Sequence, residues 1–119
     1  MKGYITGAKL FNKIGLTTQV PNITHIMTNE CKNKNEYKNK YLNVVIRKQK
    51  IKINNENYKY LQLIDIINNK DKINIENNNY KEKIYEFIKY NNLDFEKIIK
   101  YARDTKNKKV LDMIYILAR

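Results

Sequence analysis

Apolar positions along the chain change their spacing near residue 56. Before it they alternate or run together. After it they recur every three or four residues. Tyr60, Leu61, Leu63, Ile64, Ile66 and Ile67 cover a wide arc and predict a deeply buried helix over 56–68. Tyr80, Ile84, Phe87 and Ile88 predict a second helix over 80–91, with Asn79 as its N-cap. Phe95, Ile98, Ile99 and Ala102 predict a third over 94–103, capped by Asp94. Val110, Met113, Ile114 and Leu117 predict a fourth over 107–118, with Thr105 as cap. Residues 69–78 are polar, with Ile73 and Ile75 as weak anchors.

The N-terminal half has a different grammar. Ile23 to Asn29 alternates and is rich in β-branched residues, which predicts a strand. Tyr41 to Lys48 contains Val44, Val45 and Ile46 and predicts a more central strand. Ile51 and Ile53 alternate with Lys50 and Lys52, as a short basic edge strand would. Glu30 to Lys40 is rich in Lys and Asn and predicts a hairpin loop. A short helix is expected over 7–14, entered from an extended Gly3–Ile5, capped by Thr6 and stopped by a left-handed Gly15. The expectation is one α+β domain over 1–119. It comprises a short N-terminal helix, a small two- or three-stranded sheet and a helical C-terminal half of about four helices.

Charge sharpens this picture. Of 119 residues, 24 are Lys or Arg and 12 are Asp or Glu, a net charge of +12. Residues 30–53 hold eight bases and two acids, half of that excess. Such a field favours nucleic acid, an acidic protein surface or anionic lipid. The abundance of Asn, Lys, Ile and Tyr also fits an AT-rich genome, which gives the same lysines a bland origin. The candidate contact face comprises Arg47, Lys48, Lys50 and Lys52 with the loop lysines Lys32, Lys34, Lys38 and Lys40. Arg47 is the sharpest choice, because a guanidinium can make bidentate bonds to phosphate or carboxylate. Tyr37 and Tyr41 flank the loop and could stack on bases or pack against protein.

Catalytic chemistry is thin. His25 is the only histidine and Cys31 the only cysteine, too few for a Cys/His metal site. Neither a P-loop nor a dinucleotide fingerprint occurs. The predicted strands 23–29 and 41–53 carry no acid to hold a nuclease metal. The expectation is a protein without enzymatic activity or cofactor. The single cysteine favours a reducing, cytoplasmic setting, and no apolar run is long enough to span a membrane.

All three glycines and the only proline fall within Gly3 to Asn29. Gly3-Tyr4-Ile5-Thr6-Gly7, then Leu16-Thr17-Thr18-Gln19-Val20-Pro21-Asn22, then Ile26 and Thr28-Asn29, resembles the C-terminal domain of AbiEi-like type IV antitoxins. The resemblance continues more weakly through Val45-Ile46-Arg47 and Tyr60 to Asp65, and fades beyond. It implies a non-enzymatic protein that pairs with a nucleotidyltransferase-like toxin. It also implies an N-terminal winged helix-turn-helix for operator binding, which is expected to be missing because the motif starts at Gly3. A second expectation follows from small size, charge and that missing domain: a phage or mobile-element inhibitor of a host defence, such as an RNA-guided CRISPR nuclease. Thr17, Thr18 and Gln19 either satisfy loop backbone groups or present a polar recognition edge.

Overall fold

The computed structural model describes residues 2–17, 21–30, 36–69 and 80–117. Among these residues nine elements run in the order β1 (Gly3–Thr6), α1 (Ala8–Lys13), β2 (Thr24–Thr28), β3 (Glu36–Asn39), β4 (Val44–Lys48), α2 (Tyr58–Asn68), α3 (Tyr80–Tyr90), α4 (Phe95–Asp104) and α5 (Lys108–Leu117). This is the expected α+β class, with the sheet in the N-terminal half and four helices after it.

The four strands lie in the order β1-β2-β4-β3. β1 runs antiparallel to β2, β2 parallel to β4, and β3 antiparallel to β4. The sheet thus has four strands where the sequence pattern predicts two or three. β2 and β4 fall within the predicted spans, β1 is the segment expected only as an extended entry to the first helix, and β3 lies inside the segment expected to be loop. The predicted basic strand at Ile51 and Ile53 is not one. Residues 49–53 form a loop, and Ile53 is buried against Tyr4 and Leu61. A side chain organises that loop. Asn29 donates from Nδ2 to the carbonyls of Gln49 (2.7 Å) and Ile51 (2.9 Å), and its Oδ1 accepts from the amide of Ile53 (2.8 Å).

The main core lies among the helices. Leu10, Phe11 and Leu16 pack there with residues of α2, α3, α4 and α5. α2 is the central element: it turns Leu61 to the sheet-side cluster of Tyr4 and Ile53, and Leu63, Ile66 and Ile67 to the helical core.

Helix ends follow the sequence in part. Gly15 has φ +85°. Its amide donates to Asn12 O (3.1 Å) while that of Leu16 donates to Phe11 O (2.9 Å), the paired bonds of a Schellman motif. A Cβ here would lie 3.5 Å from the Lys83 side chain, an ordinary contact, so the cost of a side chain is conformational. Gly15→Ala is therefore expected to lose about 1 kcal/mol of stability, measured by chemical denaturation. An unchanged midpoint would show that the left-handed backbone is not required. Asp94 caps α4, with Oδ1 accepting from Glu96 N at 3.1 Å. Thr6 does not cap α1: its hydroxyl donates to Asp65 Oδ2 at 3.0 Å. Nor does Thr105 cap α5. It donates to Ala102 O at the end of α4, and Asn107 Oδ1 accepts from Val110 N instead. The Asn79 cap lies outside the described residues.

Candidate binding surface

Cross-strand register divides the sheet's side chains between two faces. On the face toward α2 lie Thr6, His25, Val45 and Lys38, and beside them Tyr4, Met27, Arg47 and Glu36. On the opposite face Ile5, Ile26, Ile46 and Tyr37 stand in one row across all four strands. Ile5 is 43% and Tyr37 48% exposed, Ile26 and Ile46 are half-buried, and none of the four belongs to a buried cluster. Beside this row, Lys48 is aligned with Thr28 and Gly3. Helices occupy one side of the sheet only, among the described residues.

The lysines at positions 48, 50 and 52 gather at one end of the sheet. With Lys2, Gln49 and Glu30 they line a hollow of about 420 Å³. The Asn29 clamp holds the backbone on which they sit, and Gln49 adds two bonds: Nε2 to Tyr4 Oη at 3.0 Å, and Oε1 from Ile51 N at 3.1 Å. Lys48, Lys50 and Lys52 are exposed, so three of the expected contact lysines share a defined place. Within the hollow, Lys2 pairs with Glu30 at 3.5 Å.

The other expected contact residues scatter. Lys40 is exposed in the turn after β3. Lys38 points to the α2 side and pairs with Glu36 at 3.3 Å. Arg47 also faces that side, its Nε 3.4 Å from Glu36 Oε2. Its guanidinium is thus ion-paired with Glu36, although Nε makes no hydrogen bond, and it stands apart from the row on the open face. Thr17 is only 6% exposed, which leaves it little of a recognition edge to present. Lys32, Lys34, Thr18 and Gln19 lie outside the described residues. Tyr41, at the tip of the β3–β4 turn, is 98% exposed.

Sequence reasoning missed a polar cluster beneath the sheet. Asp65, from α2, accepts from Thr6 and from Tyr4. Burial pushes its carboxyl up from an ordinary 3.8 to about 6, against the downward pull of those hydrogen bonds and of Arg47. Burial and then Asp65 push the Tyr4 hydroxyl well above its usual range. Burial and Arg47 hold the imidazole of His25 below its ordinary value. Gln62, one α2 turn before Asp65, donates from Nε2 to Ile5 O at 2.9 Å on the free edge of β1. The available signal was in α2: Gln62 and Asp65 interrupt an otherwise apolar arc at a spacing of three, so both must find partners across the interface.

Among the described residues no group of three or more His, Cys, Asp or Glu is placed to hold a metal ion. No described helix is long and apolar enough to cross a membrane. No protein-family model, curated protein or solved structure matches the chain.

Proposed function

We propose that the chain is a non-enzymatic binding module of the antitoxin kind. It engages an acidic protein surface with the open face of its sheet and the lysine end beside it. The row of Ile5, Ile26, Ile46 and Tyr37 carries this reading. A contiguous apolar strip on a sheet face that no described helix covers, bordered by charge, is the anatomy of a protein contact: apolar centre, polar rim. Lys48, Lys50 and Lys52 supply the rim and select an acidic partner. Asp65, which an acid–base mechanism would recruit, is instead committed to Thr6 and Tyr4, and this supports a binding role. The antitoxin resemblance supports a nucleotidyltransferase-like toxin as that partner.

The placement of Tyr37 supports a second reading. It shares the open face with Lys48, and Tyr41 stands exposed nearby in sequence. Aromatic rings among lysines suit bases and phosphates, as an inhibitor of an RNA-guided defence nuclease, or any other nucleic-acid binder, would require.

Photo-crosslinking in the source cells separates the two. Benzoylphenylalanine replaces Tyr37 in one variant and Tyr115, a helical residue, in another. The protein-binding reading expects one discrete protein adduct from position 37 and none from 115. It also expects Ile46→Glu to weaken the isolated complex by roughly 30-fold, as loss of a central contact does. Adducts to nucleic acid alone would sink that reading and favour the second. No adduct of either kind from position 37 would sink both.

A further inference from the structure

A second site lies on the other side of β1, away from the open face. The free edge of β1, α1, and the facing parts of α2 and α3 border a half-open cavity of about 480 Å³. That is within the size range of small-molecule sites. Its wall is largely apolar: Leu10, Ile14, Tyr58 and Phe87 contribute to it. The cavity exists because α1 is only six residues long and the chain turns away at Gly15.

Two features give the cavity a chemical preference. The first is Gln62, which lines it and is only 6% exposed. Its Nε2 is used on Ile5 O, but its Oε1 is buried with no hydrogen-bond partner. A buried acceptor left unmatched is costly and is satisfied by a donor entering the cavity. The second is charge. Lys13, Lys59 and Lys83 all line the cavity. Lys83 is paired with Glu86 at 3.5 Å, whereas neither Lys13 nor Lys59 has an ion pair among the described residues. Lys59 Nζ lies 5.1 Å from the ring centre of Tyr58 and 5.8 Å from that of Phe87. Its ammonium is held below its ordinary pKa by burial and then by the charge of Lys13. Glu86 also lines the cavity, but it is the partner of Lys83.

We propose that this cavity binds a small ligand with an anionic group for Lys13 and Lys59, a flat apolar body for the Tyr58–Phe87 wall, and an N–H or O–H donor for Gln62 Oε1. An extended peptide fits less well. The Gln62 side chain already occupies the Ile5 carbonyl on the strand edge, where a fifth strand would pair. The proposal is independent of the open-face reading, because the Ile46 row contributes only Ile5 to this wall.

The test is a titration of the isotope-labelled full chain, followed by NMR. The probes are indoleacetate, its neutral analogue indoleacetamide, naphthaleneacetate, which lacks the ring N–H, and indoxyl phosphate. Saturable shifts are expected at the Gln62 side-chain amide, Leu10, Ile14 and Phe87. Indoleacetamide should bind roughly tenfold more weakly, as loss of a charge-assisted contact predicts. Naphthaleneacetate should also lose several-fold. The preference between indoleacetate and indoxyl phosphate assigns the anion as carboxylate or phosphate. Lys59→Met should weaken both acids while leaving the spectrum elsewhere unchanged, which serves as the folding control. The proposal is overturned by no saturable shift with either acid, by equal binding of acid and amide, or by shifts centred on Ile46 and Tyr37. Equal binding of the indole and naphthalene acids would also overturn it by removing Gln62 from recognition.

Discussion

Replacing Phe11 by alanine is expected to cost about 3–5 kcal/mol, out of a total that for domains of this size is about 5–15 kcal/mol. The ring is 0% exposed and lies in the largest cluster, together with Leu10 and Leu16 from its own segment and residues of α2, α3, α4 and α5. Its removal loses the transfer free energy of a full aromatic side chain and leaves a void in the middle of the helical core. Collapse around that void is limited because Leu16 is held by the backbone bond from its amide to Phe11 O. Alanine keeps that bond, since helix and carbonyl remain, so the loss isolates packing from capping. The measurement is urea denaturation, where the midpoint should fall with little change in slope. A loss below about 1 kcal/mol would mean that α1 is not seated in the core as described. The same seating positions Leu10 and Lys13, so the variant should also weaken any ligand of the β1–α1 cavity.

The contrast between Phe11 and Thr6 shows where sequence reading works in this chain. Helical faces are local: Ile84, Phe87 and Ile88 or Ile98 and Ala102 can be recognised within a few residues, and all five are buried. Gly15 is equally local, because a stop needs only a left-handed residue at the right place. Thr6 has a good local use as a cap, but its hydroxyl serves Asp65, 59 residues away. Nothing in the neighbourhood of either residue announces the other.

β2 and β4 lie within the predicted strands, but β3 escaped the pattern for a related reason. β3 reads Glu-Tyr-Lys-Asn, with one large apolar residue, and that residue faces the open side. A strand that buries little against a core carries no periodic signal. Arg47 was legible as part of a strand, but Val44, Val45 and Ile46 are all apolar, and such a run hides which face is which. Only pairing with β2 and β3 assigns Arg47 to the α2 side and Ile46 to the open one. The candidate surface was therefore half legible. Lys48, Lys50 and Lys52 were found by charge. The apolar row they border required register, and its partners come from four separate stretches.

Asp65→Asn should stabilise the protein at neutral pH and flatten its acid response. The carboxyl of Asp65 has a folded-state pKa of about 6 against an ordinary 3.8, with burial as the main cause. Between those values the folded protein holds more protons than the unfolded chain, so stability falls as pH rises through the interval. Above about pH 6 the full penalty is present, of order 2–3 kcal/mol at 1.36 kcal/mol per unit. Asparagine removes the charge, and its Oδ1 can still accept from Thr6. The Tyr4 hydroxyl loses a carboxylate acceptor, which costs about 1 kcal/mol. The balance is a gain of about 1–2 kcal/mol at neutral pH, and none or a small loss near pH 4. His25 has the opposite sign. Its pKa is held below 6.5, so on acidification the unfolded chain takes up that proton first and stability falls. In the natural protein the two effects oppose each other below neutrality. In Asp65→Asn the decline due to His25 should remain, joined at lower pH by that of Glu36, whose carboxyl its hydrogen bond to Lys38 holds below the ordinary value. Denaturation midpoints of both proteins across this pH range separate the two. A variant less stable than its parent at neutral pH would show that the ionised carboxylate itself holds β1 to α2 through Thr6 and Tyr4, and that burial is not its dominant influence.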